Sequence, residues 1–187
     1  MVSLPPPPPA IVVIDLETTG LKPQFSHIVE IAAVRLDTRT GTITKLLDTL
    51  VREPGEINWR AWIFDHSSLT PAMVLNAPPW HVIKPQVQAI LNEYPVTAFS
   101  KEFDFKFLRH RGLTIPKEYP CIMLACTPLC RIPKDWGTSS QDLWKWPTIN
   151  EAWQYFFPGK PCENQHRAYP DARCEAEVLF ALLKTFF

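Results

Sequence analysis

The stretch IVVIDLETTG, residues 11–20, decides how this chain folds. Ile11, Val12, Val13 and Ile14 are apolar and β-branched, and Thr18, Thr19 and Gly20 close the run. That is the pattern of a buried central strand over about residues 10–16. Side chains at i and i+2 leave a strand on the same face, so Asp15 and Glu17 stand side by side. Two like charges on one face of a core strand are costly without a cation between them. A hard divalent ion with oxygen ligands, Mg2+ or Mn2+, would offset that cost. Taken alone, the pair is equally compatible with a solvated strand end.

Two further motifs shift that balance. FSKEFDFKFL, residues 99–108, carries Asp104, and HRAYPDA, residues 166–172, carries His166 and Asp171. With these, the chain resembles the DEDD family of 3′–5′ exonucleases, in the His-containing, DnaQ-like branch that includes proofreading epsilon subunits, RNase T and oligoribonuclease. The resemblance implies four acidic metal ligands, Asp15, Glu17, Asp104 and Asp171, with His166 as general base. It covers nearly the whole chain. HIVEIAAVRL (27–36) is similar to the family's second strand, HSSLTPAMVLNAP (66–78) to its His-Gly-Ile-Thr segment and following helix, and KWPTINEA (145–152) to a helix-starting motif of DnaQ-like proteins. The chain departs from the family pattern at Ser100, where Asn is usual, at Lys101, where Ala is usual, and at His66-Ser67, where His-Gly is common. An Asp often found before the fifth strand is missing from CIMLACT (121–127). These departures bear on substrate grip and leave the metal ligands untouched.

Length and composition set the bounds. A chain of 187 residues with 46% hydrophobic and 20% charged residues reads as one globular domain, here residues 10–187, behind a proline-rich arm over residues 1–9. The arm, MVSLPPPPP, favours polyproline II and reads as a stiff leader to the first strand. It has neither the basic nor the apolar region of a secretory signal. No segment approaches the ~18 to 20 apolar residues of a membrane span. The five cysteines lack C-x-x-C spacing, which argues against zinc and a disulfide framework and for reduced thiols in the cytoplasm. Lys+Arg and Asp+Glu are 19 each, a balance that argues against a passive nucleic-acid-binding module.

The spacing of apolar and turn residues predicts strands at about 28–37 and 43–51 joined by a Gly-containing turn, then a loop-rich stretch over 52–80. It predicts a helix from Pro85 to about Tyr94, a strand over 96–100, a helix opened by Asp104 and stopped at Gly112, and a last helix from near Pro170. In that last helix Ala172, Ala176, Leu179, Phe180 and Leu183 fall on one face. Asp104 has a second reading, as a residue favoured by a helix N-terminus. The order fits an α/β fold, a mixed central β-sheet flanked by helices, as in the ribonuclease-H-like exonuclease fold that the resemblance implies.

The resemblance also implies chemistry. Two Mg2+ or Mn2+ ions about 3.5–4 Å apart can activate a water and neutralise charge growing on phosphate. Asp15 would bridge them, Glu17 and Asp171 would complete one, and Asp104 would hold the other, partly through water. His166 would take the proton of the attacking water; imidazole titrates near neutral pH. Thr18, Thr19, Gly20 and Leu21 would touch the terminal nucleotide, with Ser100 and Phe103 from the second motif. Phe103, Phe105 and Phe107 could stack on a base, although core packing is the commoner fate of phenylalanine. His27, His66, His81 and His110 read as structural or surface residues. The implied activity is release of nucleoside 5′-monophosphates from single-stranded or frayed 3′ ends, DNA favoured over RNA. An exoribonuclease, an inactive nucleic-acid-binding accessory protein and a ribonuclease-H-type endonuclease are the alternatives. The ending FALLKTFF (180–187) leaves no polymerase-binding tail evident; core burial of the face with Leu183, Phe186 and Phe187 is expected, and a homodimer is left open.

Overall fold

The computed structural model of the chain describes residues 4–134, 144–162 and 166–187. The first three residues of the proline-rich arm therefore lie outside the described residues. Strand β1 (Ala10–Thr18) sits in the middle of a four-stranded sheet of order β3-β2-β1-β4. On one side it pairs antiparallel with β2 (Ile28–Asp37), which pairs antiparallel with β3 (Ile43–Leu50). On the other side Val12 and Val13 pair in parallel with the short β4 (Val96–Thr97). The sheet is mixed, as the pattern of the sequence predicts. β1 runs to Thr18 because Glu17 still pairs with Glu30, and the ladder shifts register only between Glu17 and Thr18.

Helices cover both faces. In chain order they are α1 (Trp62–His66), α2 (Pro71–Leu75), α3 (Trp80–Glu93), α4 (Lys101–His110), α5 (Ile122–Cys130), α6 (Ile149–Phe156) and α7 (Ala168–Phe186). The alternation of β1 explains the two layers. Val12, Ile14 and Leu16 pack with Ile83, Val87 and Leu91 of α3 and with Phe105, Phe107 and Leu108 of α4. Ile11 and Val13 pack with Ala172, Ala176, Leu179 and Leu183 of α7 and with Ile122 and Ala125 of α5. Asp15 and Glu17 continue the second row, so the fold turns them towards α7.

Several boundaries differ from expectation. α3 begins at Trp80, with Pro85 inside it. Burial of Trp80 and Ile83 in the core outweighs the single ladder bond that Pro85 cannot donate. α4 begins at Lys101 behind Ser100, so Asp104 lies inside its first turn rather than opening it. α7 begins at Ala168, two residues before Pro170. The strand expected over 96–100 contracts to two residues, and the stretch 52–80 holds two short helices. The CIMLACT segment lies mainly in α5; a parallel bridge from Val96 to Glu118 precedes it. KWPTINEA does start a helix: Thr148 caps α6 in a reciprocal box with Glu151. Leu183 is buried, but Phe186 and Phe187 are exposed, so the expected burial of the carboxyl-terminal face stops one turn short of the end.

The described part of the arm is docked. Leu4 is buried in the α7-side core, Tyr119 Oη donates to Pro5 O (3.0 Å), and Thr38 Oγ1 donates to Pro8 O (2.6 Å). A buried ion pair secures the segment after the acidic strand. Arg111 donates from Nε and Nη2 to Glu53 (2.8 and 2.6 Å) and from Nη1 and Nη2 to the carbonyls of Pro23 and Ser26 (2.5 Å each). Glu53 also accepts from the N–H of Ile28 (3.0 Å).

The side chain of Arg111 is only 12% exposed, so removing its carboxylate leaves a largely buried charge unpaired. Glu53→Ala is expected to destabilise the fold by about 3 kcal/mol or more. Chemical denaturation of both proteins measures this, and a loss below about 1 kcal/mol would show that solvent replaces the carboxylate.

Candidate active site

The acidic strand, the first turn of α4 and the first turns of α7 converge at one end of β1. Glu17, His166 and Asp171 each offer a ligand atom, and these atoms lie within 4.8 Å of one another. Asp104 is buried, as is Asp171. The N–H of Leu16, between the two acidic residues of β1, supports the Asp104 carboxylate. The structure therefore brings together all five residues that the sequence singles out for catalysis: Asp15, Glu17, Asp104, His166 and Asp171.

A further acidic residue joins them. Glu175, one turn beyond Asp171 on α7, is buried and accepts a hydrogen bond from the N–H of Phe99 (3.2 Å). The electrostatics of this cluster are those of negative charge held away from water. Burial first, then the charges of Glu175, Glu17, Asp104 and Asp171, hold the Asp15 carboxyl well above the ordinary carboxylate range. Glu175 is raised likewise, by burial and then by Asp104. Glu17 is pushed up to about 8 by burial, with Asp171, Glu30 and Asp104 adding and Arg167 opposing. Asp104 is pushed up to about 8 by burial against the pull of N–H groups. Asp15 Oδ2 is buried with no hydrogen-bond partner among the described residues. Such an orphaned oxygen amid carboxylates fits a hard divalent cation, which all these donors suit.

One clasp orders the approach to α7. Glu30, opposite Glu17 on β2, receives hydrogen bonds from Nε and Nη2 of Arg167 (3.0–3.1 and 2.6 Å) and from the N–H of Ala168 (2.9 Å). Arg167 also donates to Ser68 Oγ (2.8 Å). His166, the preceding residue, has a left-handed backbone with φ +50°, a conformation costly for a residue with a Cβ. The clasp on its neighbour holds it there.

Beside the carboxylates lies a groove of about 360 Å3, lined by Leu16, Glu17, Thr18, Thr19, Gly20, Leu21, Trp62, Ile63 and Phe103. Its floor turn is fixed by Thr18 Oγ1 donating to Gly20 O (2.8 Å) and by Thr19 pairing with His27. Gly20 lets the turn lie close to Ser26: a Cβ there would stand 2.7 Å from Ser26 Oγ, and the hydroxyl would have to turn away. Thus Thr18, Thr19, Gly20, Leu21 and Phe103 share one groove. Ser100 stands outside its lining, as the residue before α4. Phe105 and Phe107 are wholly buried in the core.

The sequence profile of the exonuclease family, the RNase T type, matches residues 12–179. The chain belongs to the exonuclease family. It is 34% identical over 98 residues to the PolC-type DNA polymerase III of Thermotoga petrophila, a match covering 52% of this chain and 7% of that protein. It is 29% identical over 173 residues to the DNA polymerase III subunit epsilon of Aquifex aeolicus, covering 92% of this chain and 80% of that one. Among solved structures, cell-death related nuclease 4 superposes with a TM-score of 0.71 at 15% identity, over 95% of this chain and 64% of the other. This likeness bears out the ribonuclease-H-like exonuclease fold. The chain thus spans a small fraction of the polymerase it matches and most of the epsilon subunit.

Sequence reasoning missed Trp62, Glu30, Arg167 and Glu175. The indole of Trp62 stacks on His66 (4.2 Å between centroids) and meets the His166 ring in a T-shaped contact (4.9 Å). His66, read as structural or surface, is therefore one ring removed from the site. Glu175 had a signal: it lies four residues after Asp171, on the same helical face, in an otherwise apolar row. Glu30 had one too, an isolated carboxylate inside the apolar run of β2.

The raised carboxyls carry a stability signature. Each binds its proton more tightly in the folded state, so its contribution is present at low pH and is lost as pH rises from the ordinary 4.5 through about 8 for Glu17. The metal-free protein is expected to melt at lower temperature as pH goes from about 6 to about 8, with Mg2+ or Mn2+ restoring the loss most at the upper end. Thermal denaturation in chelator and in excess metal checks this; a melting temperature indifferent to metal at both pH values would contradict it.

Proposed function

We propose that this protein is a metal-dependent 3′–5′ exonuclease that hydrolyses phosphodiester bonds at the 3′ end of single-stranded or frayed DNA and releases nucleoside 5′-monophosphates. The observation that carries this reading is the orphaned Asp15 Oδ2 inside a carboxylate cluster that opens beside a nucleotide-sized groove. Asp15, Glu17, Asp104 and Asp171 would hold two Mg2+ or Mn2+ ions. Such ions supply Lewis acidity to the scissile phosphate and lower the pKa of water.

The other residues bind, orient and move the proton. The turn Thr18-Thr19-Gly20 offers backbone groups to the terminal nucleotide, and Leu21, 81% exposed, projects as an apolar wedge. Trp62 and Phe103 line the same groove and provide faces on which a terminal base can stack, a contact worth about 1–3 kcal/mol per base. Ser100, at the start of α4, stands where a further contact to the substrate is expected. His166 takes the proton of the attacking water on a ring nitrogen and passes it to solvent. Its loop position lets it approach the water while α7 keeps Asp171 fixed. DNA is preferred to RNA because the relatives named above are DNA polymerase III proteins. Contacts to a 2′-hydroxyl would distinguish an exoribonuclease.

The test is an assay with 5′-labelled single-stranded DNA and RNA side by side, with metal and with chelator. A ladder descending from the 3′ end, on DNA and only with metal, is expected. Asp15→Asn should leave less than about 1% of that activity, since removal of a group acting in the reaction costs several powers of ten. No shortening of either strand, or full activity of the variant, would overturn the proposal.

His166→Ala is expected to retain substrate binding and to lose about 10²–10⁴ in turnover, the usual contribution of a positioned base. Single-turnover kinetics across pH would show the ascending limb vanish. An unchanged profile would assign the proton to another group.

A further inference from the structure

One pair of side chains outside the carboxylate cluster stands in reach of chemistry. Cys162 Sγ lies 3.3 Å from Cys174 Sγ, in hydrogen-bond contact and closer than two sulfurs without an attractive interaction would approach. Cys174 is on α7, three residues after Asp171. Cys162 precedes His166 by four residues, on the segment that leads into the same helix. Within the span 162–174 therefore fall both His166 and Asp171, together with the Arg167 that clasps Glu30.

The two thiols are placed for different roles. Cys162 is half-buried and open to solvent, whereas Cys174 is 5% exposed and lines a cavity of about 230 Å3 with Trp153, Pro161 and Arg173. The thiols of α5 are poor competitors. Burial pushes Cys126 far up and Cys130 up as well, which keeps both as unreactive thiols. No disulfide is present among the described residues.

We propose that Cys162 and Cys174 form a reversible oxidation site for hydroperoxides, whose product, a disulfide, ties the segment before His166 to α7. The thiolate of Cys162 attacks a peroxide oxygen; an S–O bond forms, the O–O bond breaks and one water leaves, giving a sulfenic acid. The Cys174 sulfur then attacks the Cys162 sulfur; the S–S bond forms, the S–O bond breaks and a second water leaves. Two thiols lose two electrons and two protons, and hydrogen peroxide is reduced to two waters. A dithiol reverses the step by exchange.

The consequence follows from distance. A disulfide holds its sulfurs about 2.05 Å apart, so the pair must close by roughly 1 Å from its present contact. That pull acts on α7 through Cys174 and on Cys162, four residues ahead of a His whose left-handed backbone adjoins the Glu30 clasp. Misplacement of a positioned reactive group by about 1 Å costs on the order of 100-fold in rate. Resting on the exonuclease reading above, the oxidised form is the slow form.

The experiment treats the full chain with graded hydrogen peroxide in chelator, removes the oxidant, and maps peptides without reduction. Expected are a Cys162–Cys174 linkage, loss of two of the five thiols, and slowed amide exchange at Arg167 and Ala168. With metal restored, turnover on 5′-labelled single-stranded DNA should fall by about tenfold or more, and dithiothreitol should recover it. Cys162→Ser, with Cys174→Ala as a second variant, should keep the untreated turnover and resist peroxide. Other linkages in place of this one, a linkage that leaves exchange unchanged, or peroxide sensitivity equal in Cys162→Ser would each overturn the proposal. Linkage and exchange are read without catalysis. A protein that forms the linkage yet never shortens DNA would sink the exonuclease reading and leave the oxidation site standing.

Discussion

Repulsion among buried carboxylates is the constraint around which this protein is arranged. Glu17, Asp104, Asp171 and Glu175 raise the proton affinity of Asp15, and Asp104 and Asp171 raise those of Glu17 and Glu175, on top of the effect of burial. Isolated carboxylates would not stay clustered in an apolar setting, because each loses its water without gaining a partner. The fold imposes the cluster. β1 is paired with β2 as far as Glu17, with β4 at Val12 and Val13, and packed on both faces, which holds its acidic end in place. α4 and α7 arrive from opposite layers and deliver their carboxylates against it. The apolar core thus stabilises a site that is unfavourable by itself and that a cation would neutralise.

Two ion pairs shape the surroundings without entering the cluster. Arg111 and Glu53 hold the segment after the acidic strand, which sets the turn of the groove. Arg167 and Glu30 hold the start of α7, and through it the backbone of His166. Both pairs are bidentate, and in both the carboxylate also receives a backbone N–H. Arg167 further lowers the proton affinity of Glu17, so the clasp and the site share an electrostatic link. Trp62 adds a packing link, stacked on His66 and in T-shaped contact with His166.

Much of this was legible in the sequence, for physical reasons. The alternation in IVVIDLE places two carboxylates on one face of any strand it forms, and both β2 and β3 follow from the same period. Asp104 and Asp171 were legible as acids in the first turns of helices, although the residues starting those helices were misjudged. Pro85 misled because a proline suits a first helical turn, whereas here burial of Trp80 and Ile83 extends the helix past it. Phe105 and Phe107 fell to the core, and Phe103, one turn before Phe107 and packed on its ring, to the groove at that core's edge, which a run of alternating aromatics obscures. The Trp62–His166 contact joins residues distant in sequence and the Cys162–Cys174 contact spans twelve residues, and no local pattern announces either. The exposed Phe186 and Phe187 show the limit of periodicity at a helix end, where the partner surface runs out before the pattern does.

The central claim is that the carboxylate cluster is a divalent-cation site and not a solvated or merely strained strand end. Crystals of the protein grown with Mn2+ and a nucleoside 5′-monophosphate, measured for anomalous scattering of manganese, test it most directly. Anomalous peaks are expected in contact with Asp15 and Glu17, with the nucleotide phosphate on the same ions and its base in the groove beside Trp62 and Phe103. Manganese bound elsewhere, with Asp15 Oδ2 still without a partner at saturating metal, would contradict it.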